Sequence, residues 1–139
     1  MIVDSPIQML EAGRAFAASL RGGELVTLSG GLGAGKTLFS KGVLAGLGYQ
    51  GDAPSPTFNI MNHYGPPDTR LPVIHADLYR LNSPDELDEL GLLDNGEMDT
   101  VCLVEWPEQG GKAFADARYT IAIAVTGENS RTLTIEENF

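Results

Sequence analysis

Gly30-Gly31-Leu32-Gly33-Ala34-Gly35-Lys36-Thr37 fits the pattern G-x-x-x-x-G-K-[ST]. It stands between a short apolar run and a helical pattern, the setting that a phosphate-binding loop requires. Glycines let the backbone turn its N–H groups inward around a polyphosphate, and the following helix presents its unpaired first-turn donors and positive dipole end to the same charge. Lys36 would then reach the β- and γ-phosphates. Thr37 would offer its hydroxyl to Mg²⁺, a hard cation that keeps waters and takes few protein ligands. The bland alternative, a glycine-rich turn with an incidental lysine, does not explain why pattern and setting agree.

The rest of the chain supports a nucleotide-binding unit and little else. Its 139 residues suffice for one domain with a sizeable core, but not for a nucleotide-binding unit plus a full second domain. Cys102 is the only cysteine, so no disulfide framework exists and a reducing, cytoplasmic location is expected. No apolar stretch approaches membrane-spanning length, and the N-terminus lacks the basic start and apolar core of a signal peptide. Nine Lys and Arg face nineteen Asp and Glu, a formal charge of −10. Such a protein repels a nucleic-acid backbone, so any link to RNA or DNA should run through a partner.

Local signals place the elements. Ser5-Pro6-Ile7-Gln8 combines an N-cap serine, a first-turn proline and a capping-box glutamine, predicting a helix over about 6–20. Residues 24–29 read as a buried strand delivering the loop, and 36–47 as the next helix, ended by Gly48. Residues 57–64 and 71–77 read as paired strands around the turn Gly65-Pro66-Pro67-Asp68. Ser83-Pro84-Asp85-Glu86 repeats the cap signature before a short acidic helix that stops near Gly91. The acidic region 85–99 is either a flap or a solvated surface helix, and charge does not choose between them. Residues 101–105 form an apolar run, and 119–125 with 132–135 read as a hairpin at the sheet edge. The expected fold is α/β: a P-loop NTPase-like three-layer domain over 1–139, its sheet parallel near the loop and antiparallel toward the hairpins.

Phosphate-loop enzymes place a carboxylate at the end of an apolar strand to hold Mg²⁺ directly or through water. Asp77 after Val73-Ile74-His75-Ala76 and Glu105 after Val101-Cys102-Leu103-Val104 both qualify. They could divide the work, one holding metal and the other orienting the attacking water. In Ser55-Pro56-Thr57, proline biases Ser55 toward an extended backbone. Thr57 therefore sits either on a loop that senses the γ-phosphate or in an ordinary proline turn. Trp106 lies directly after Glu105, placed either for packing or for the site. His63 and His75 have no cysteine or histidine at metal spacing, so both are expected to be structural.

Taken together, GGLGAGKT (30–37), SPTF (55–58), HADLYR (75–80), DELGL (88–92) and VEWPE (104–108) resemble the TsaE family, formerly YjeE. These are bacterial ATPases needed for threonylcarbamoyl-adenosine formation in tRNA. The likeness runs in order over about 4–135. The phosphate loop alone is widespread, whereas the ordered combination of SPT, DLYR and VEW is specific.

The resemblance implies that ATP–Mg²⁺ binds along Gly30, Gly31, Leu32, Gly33, Ala34, Gly35, Lys36, Thr37 and Leu38, with Thr37 and Glu105 as metal ligands. It implies catalytic parts for Lys36, for Asp77 near the γ-phosphate and attacking water, and for Thr57 in a switch-like segment. Trp106 would help line the site, and Arg131 would approach the base or ribose. The base itself would be modified elsewhere: the implied partners are TsaD, which transfers the threonylcarbamoyl group, and TsaB, with tRNA reached only through them. Alone, the chain is expected to be monomeric. One position departs from the pattern, because Gly31 stands where the family usually has aspartate. The loop should still form, and hydrolysis or complex activation should change rather than binding.

Other functions fit less well. A small-molecule kinase could use the same loop and carboxylates, but its arginine-bearing lid is not evident, since Arg14, Arg21, Arg70, Arg80, Arg118 and Arg131 are dispersed. A regulatory GTPase would need an Asn-Lys-x-Asp guanine-reading segment, which is missing. A nucleotide-gated assembly module with incidental turnover is the non-enzymatic alternative.

Overall fold

The computed structural model describes residues 1–51, 61–81, 83, 85–86 and 99–138. Strands β1 (Ile2–Val3), β2 (Leu25–Ser29), β3 (Met61–Tyr64), β4 (Val73–Asp77), β5 (Val101–Glu105), β6 (Tyr119–Val125) and β7 (Arg131–Glu137) form one sheet in the order β1-β7-β6-β2-β5-β4-β3. The four central strands, β6-β2-β5-β4, run parallel, and antiparallel pairs close both flanks. The mixed sheet expected from the hairpin signals is therefore present. Two-residue β1 is too short to carry a periodic signal. It pairs with β7, so the β6–β7 hairpin lies one strand in from the edge.

Helices α1 (Pro6–Phe16) and α2 (Lys36–Gly46) cover one face. Ser5 caps α1, its Oγ accepting from Gln8 N at 3.1 Å, while Gln8 Oε1 accepts from Asp4 N rather than from the cap residue. The capping box is thus shifted by one residue. Helix α1 is shorter than expected because residues 17–19 tighten into a 3₁₀ turn. At the end of α2, Gly48 adopts φ 110°, Tyr49 N donates to Leu44 O and Gly48 N to Ala45 O. This is the double closure that a left-handed glycine permits.

The helices meet backbone to backbone. A Cβ on Gly13 would lie 2.2 Å from Phe39 O, and one on Gly42 would lie 2.2 Å from Leu10 O. Below them, Val26, Leu28, Leu103, Ile121, Phe39 and Val43 are fully buried in the main core. Phe16 joins Phe39 and Tyr119 there, with ring centroids 5.7 and 5.0 Å away. On the other sheet face Ile74, Ala76, Val104, Leu78, Leu81 and Phe114 form a second cluster. Among the described residues, turns around 78–81 and 107–117 make this third layer rather than a long helix. The described part of the predicted strand 57–64 is β3. Thr57, the SPTF and DELGL segments and most of the acidic helix lie outside the described residues. Among the described residues no helix is long and apolar enough to cross a membrane.

Candidate functional site

The glycine-rich loop leaves the carboxyl end of β2, a strand with parallel neighbours on both sides. That end of a parallel sheet is where open α/β folds form ligand crevices. Gly35 is the N-cap of α2 in the left-handed region, φ 114°, and no side chain caps the helix. Its first-turn N–H groups therefore lack the usual side-chain acceptor. Gly30 is required sterically as well, because a Cβ there would lie 2.6 Å from Ile123 O. Gly31 is different: nothing stands within 4 Å of a Cβ at that position. Leu32 at the loop tip is exposed, while Ala34 is buried against the core.

Lys36 turns back over the loop and donates from Nζ to Gly30 O at 2.6 Å and Gly31 O at 2.8 Å. The same Nζ lies 4.1 Å from the centroid of the Trp106 ring, a cation–π distance. Trp106 in turn packs on Tyr79, with centroids 4.9 Å apart. Burial pushes the Lys36 ammonium below its ordinary value, opposed by the carboxylates of Glu105, Asp77 and Glu108.

Strands β4 and β5 end side by side, Asp77 opposite Glu105 in the register. Because strand side chains alternate, His75, Asp77, Leu103 and Glu105 share the face that carries α2. Thr37 Oγ1, on the first turn of α2, lies 3.1 Å from Glu105 Oε1 and 3.3 Å from Oε2. Asp77 has a different partner, its Oδ1 accepting from Tyr79 N at 3.0 Å. Burial pushes the Asp77 carboxyl up and Glu105 adds to the shift, against the Tyr79 N–H, His75 and Lys36.

His75 was expected to be structural, yet its Nε2 lies 2.6 Å from Glu105 Oε2, with both side chains buried. Its Nδ1 has no hydrogen-bond partner among the described residues. An unmet buried polar atom costs about 1–3 kcal/mol. The alternation in HADL, which puts His75 on the face of Asp77, was the available sequence signal.

Arg131 reaches the loop from β7: Nε donates to Ala34 O at 3.2 Å and Nη2 to Gly33 O at 3.3 Å. Nη1 donates to Ser130 O and Gly127 O. The guanidinium thus ties the β6–β7 turn to the loop, and it lines a pocket of about 110 Å³ with Val3, Met9, Ala34 and Leu38. A cleft of about 290 Å³ opens on the other side, bounded by residues 32–38, Asp77, Glu105 and Trp106.

The donor set suits Mg²⁺. That ion takes oxygen ligands in near-octahedral geometry at about 2.0–2.1 Å, so adjacent ligands sit about 3 Å apart. Thr37 Oγ1 and Glu105 Oε1 have that spacing, at 3.1 Å. Among the described residues no three His, Cys, Asp or Glu side chains form a metal cage. An ion here would rest on Thr37 and Glu105, with phosphate and water completing it.

Comparison with known proteins agrees over nearly the whole chain. The family model "Threonylcarbamoyl adenosine biosynthesis protein TsaE" matches residues 3–133. The chain is similar to tRNA threonylcarbamoyladenosine biosynthesis protein TsaE of Haemophilus influenzae, 36% identical over 87% of this chain and 78% of the relative. It is 41% identical to the protein of that name in Bacillus subtilis, over 85% of this chain and 72% of the relative. For the Streptomyces coelicolor protein the identity is 39%, over 91% and 88%. Among solved structures, the crystal structure of Bacillus subtilis YdiB superposes with a TM-score of 0.76 at 32% identity, covering 99% of this chain and 83% of that one.

Proposed function

The chain belongs to the TsaE family of threonylcarbamoyl adenosine biosynthesis proteins, and from that premise we propose that it is a Mg²⁺-dependent ATPase. It would support the TsaB–TsaD complex in modifying the adenosine next to the anticodon of tRNA. The observation that carries this reading is the convergence of Lys36, Thr37, Asp77, Glu105 and Trp106 on one cleft beside the uncapped start of α2.

Each residue has a part set by its place. Backbone N–H groups from Gly33 to Leu38 cradle the β-phosphate, and Lys36 exchanges the carbonyls of Gly30 and Gly31 for phosphate oxygens. Trp106 holds the lysine stem over the cleft. Thr37 and Glu105 would hold Mg²⁺, which would supply neutralisation of phosphate charge. Asp77, left outside the Thr37–Glu105 pair, orients the attacking water, and its raised proton affinity suits it to accept a proton. The smaller pocket beside Arg131 takes the base or ribose. The formal charge of −10 supports a partner, rather than this chain, as the surface that meets tRNA.

ATP turnover of the purified chain, alone and with TsaB–TsaD, tests this reading. Slow turnover that rises with the partners is expected. Failure to bind ATP, or turnover unaltered by the partners, would overturn the corresponding half.

A further inference from the structure

The geometry points to His75 as a positioning residue for Glu105. Its Nε2–H holds Oε2 and leaves Oε1, the oxygen nearer Thr37, as the one presented to a divalent cation. The inference rests on the Mg²⁺-ATP reading above and goes beyond it, because it concerns what sets the metal ligand's orientation.

Three observations carry it. The first is the unequal holding of the two carboxylate oxygens: the imidazole lies 2.6 Å from Oε2, while the Thr37 hydroxyl straddles the carboxylate, 3.1 Å from Oε1 and 3.3 Å from Oε2. One donor alone leaves a carboxylate free to rotate about its last bond, and donors on both oxygens do not. The second is burial, with His75 at 1% and Glu105 at 2% exposure. Water therefore does not compete for the bond. The third is the unmet Nδ1. Among the described residues the ring's one hydrogen bond goes to Glu105, so the imidazole does not link two structural elements through both nitrogens. A carboxylate accepts, which places the hydrogen on Nε2. Partners that orient metal ligands in this way tune metal affinity although they never touch the ion.

The test is calorimetric titration of a non-hydrolysable ATP analogue, in Mg²⁺ and in EDTA, for the native chain and three variants. In His75→Leu the gain in affinity due to Mg²⁺ should fall by about tenfold, the scale lost when a ligand's hydrogen-bond partner is removed. Its affinity in EDTA should change by less than about twofold, since His75 does not line the cleft and acts only through the metal ligand. His75→Gln, whose amide nitrogen reaches the place of Nε2, should restore the gain. His75→Asn, whose amide sits where Nδ1 was, should not. If His75→Leu fails to fold, the glutamine and asparagine variants decide the matter between them. An intact Mg²⁺ gain in His75→Leu or His75→Asn would overturn the proposal, as would equal losses in Mg²⁺ and EDTA. A native chain that binds the analogue without any Mg²⁺ gain would instead bring down the Mg²⁺-ATP reading, and this inference with it.

Discussion

Lys36 Nζ stands 4.1 Å from the centroid of the Trp106 ring while donating to two carbonyls of its own loop. A buried cation is thereby satisfied by neutral groups only, although three carboxylates act on it at longer range. Lys36→Ala should weaken nucleotide binding by about a hundredfold, the order expected when a phosphate-positioning charge is lost. Calorimetry with ATP checks this, and unchanged affinity would refute the phosphate assignment.

Glu105 and Asp77 are neighbours in the register with different partners, so their variants should fail differently. Glu105→Ala removes the carboxylate beside Thr37. It should lower affinity in Mg²⁺ by about tenfold more than affinity in EDTA. Equal losses would indicate that Glu105 matters only for folding.

Asp77→Asn keeps the acceptor that Tyr79 N requires and removes the charge. Nucleotide affinity should stay close to that of the native chain, and turnover should fall by about 10²–10⁴-fold, the range for a positioned proton acceptor. Single-turnover hydrolysis measures it; native turnover in the variant would rule out a catalytic part.

Two adjacent glycines should respond in opposite ways. Gly31→Asp meets open space and should leave the melting temperature and ATP affinity unchanged, while altering hydrolysis or its stimulation by partners. Gly30→Ala drives a methyl into Ile123 O and forces a residue with a Cβ to φ 155°. It should destabilise by about 1–3 kcal/mol in denaturant titration.

Cys102 offers a pH test away from the cleft. Burial pushes its thiol above 9.0. In the unfolded chain the thiol ionises at its ordinary value, so the folded state binds the extra proton between the two values. Stability should therefore fall as pH rises through 9.0, and Cys102→Val should abolish that part of the fall. Denaturant titrations at pH values from 8 upward to about 10.5 would show it. The thiol should also react sluggishly with alkylating reagents below that range.

Local chemistry was legible in the sequence wherever a few neighbouring residues decide it. Ser5 and Pro6 start α1, Gly48 ends α2, and the loop between β2 and α2 declares itself in eight residues. What could not be read depended on distant partners. His75 meets Glu105 across thirty positions of sequence, and its spacing matched no local metal pattern. Gly13 and Gly42 look like ordinary interruptions until the two helices cross. As strand-end carboxylates alone Asp77 and Glu105 were interchangeable, and it was the family resemblance that gave them different parts; in the structure the Thr37 hydroxyl lies beside Glu105. From HADLYR and VEWPE, Asp77, Glu105 and Trp106 line the cleft and His75 lies against Glu105, whereas Thr57 lies outside the described residues.

The crossing at Gly13 and Gly42 has a mechanical consequence. With no side chain between the two backbones, α2 has no cushion that could repack as it slides or rolls on α1, so the helix bearing Lys36 and Thr37 behaves as a fixed anvil. Movement during turnover must then be borne by the strand ends and loops facing it, and hydrogen exchange in the facing turns of α1 and α2 should be equally slow with and without nucleotide.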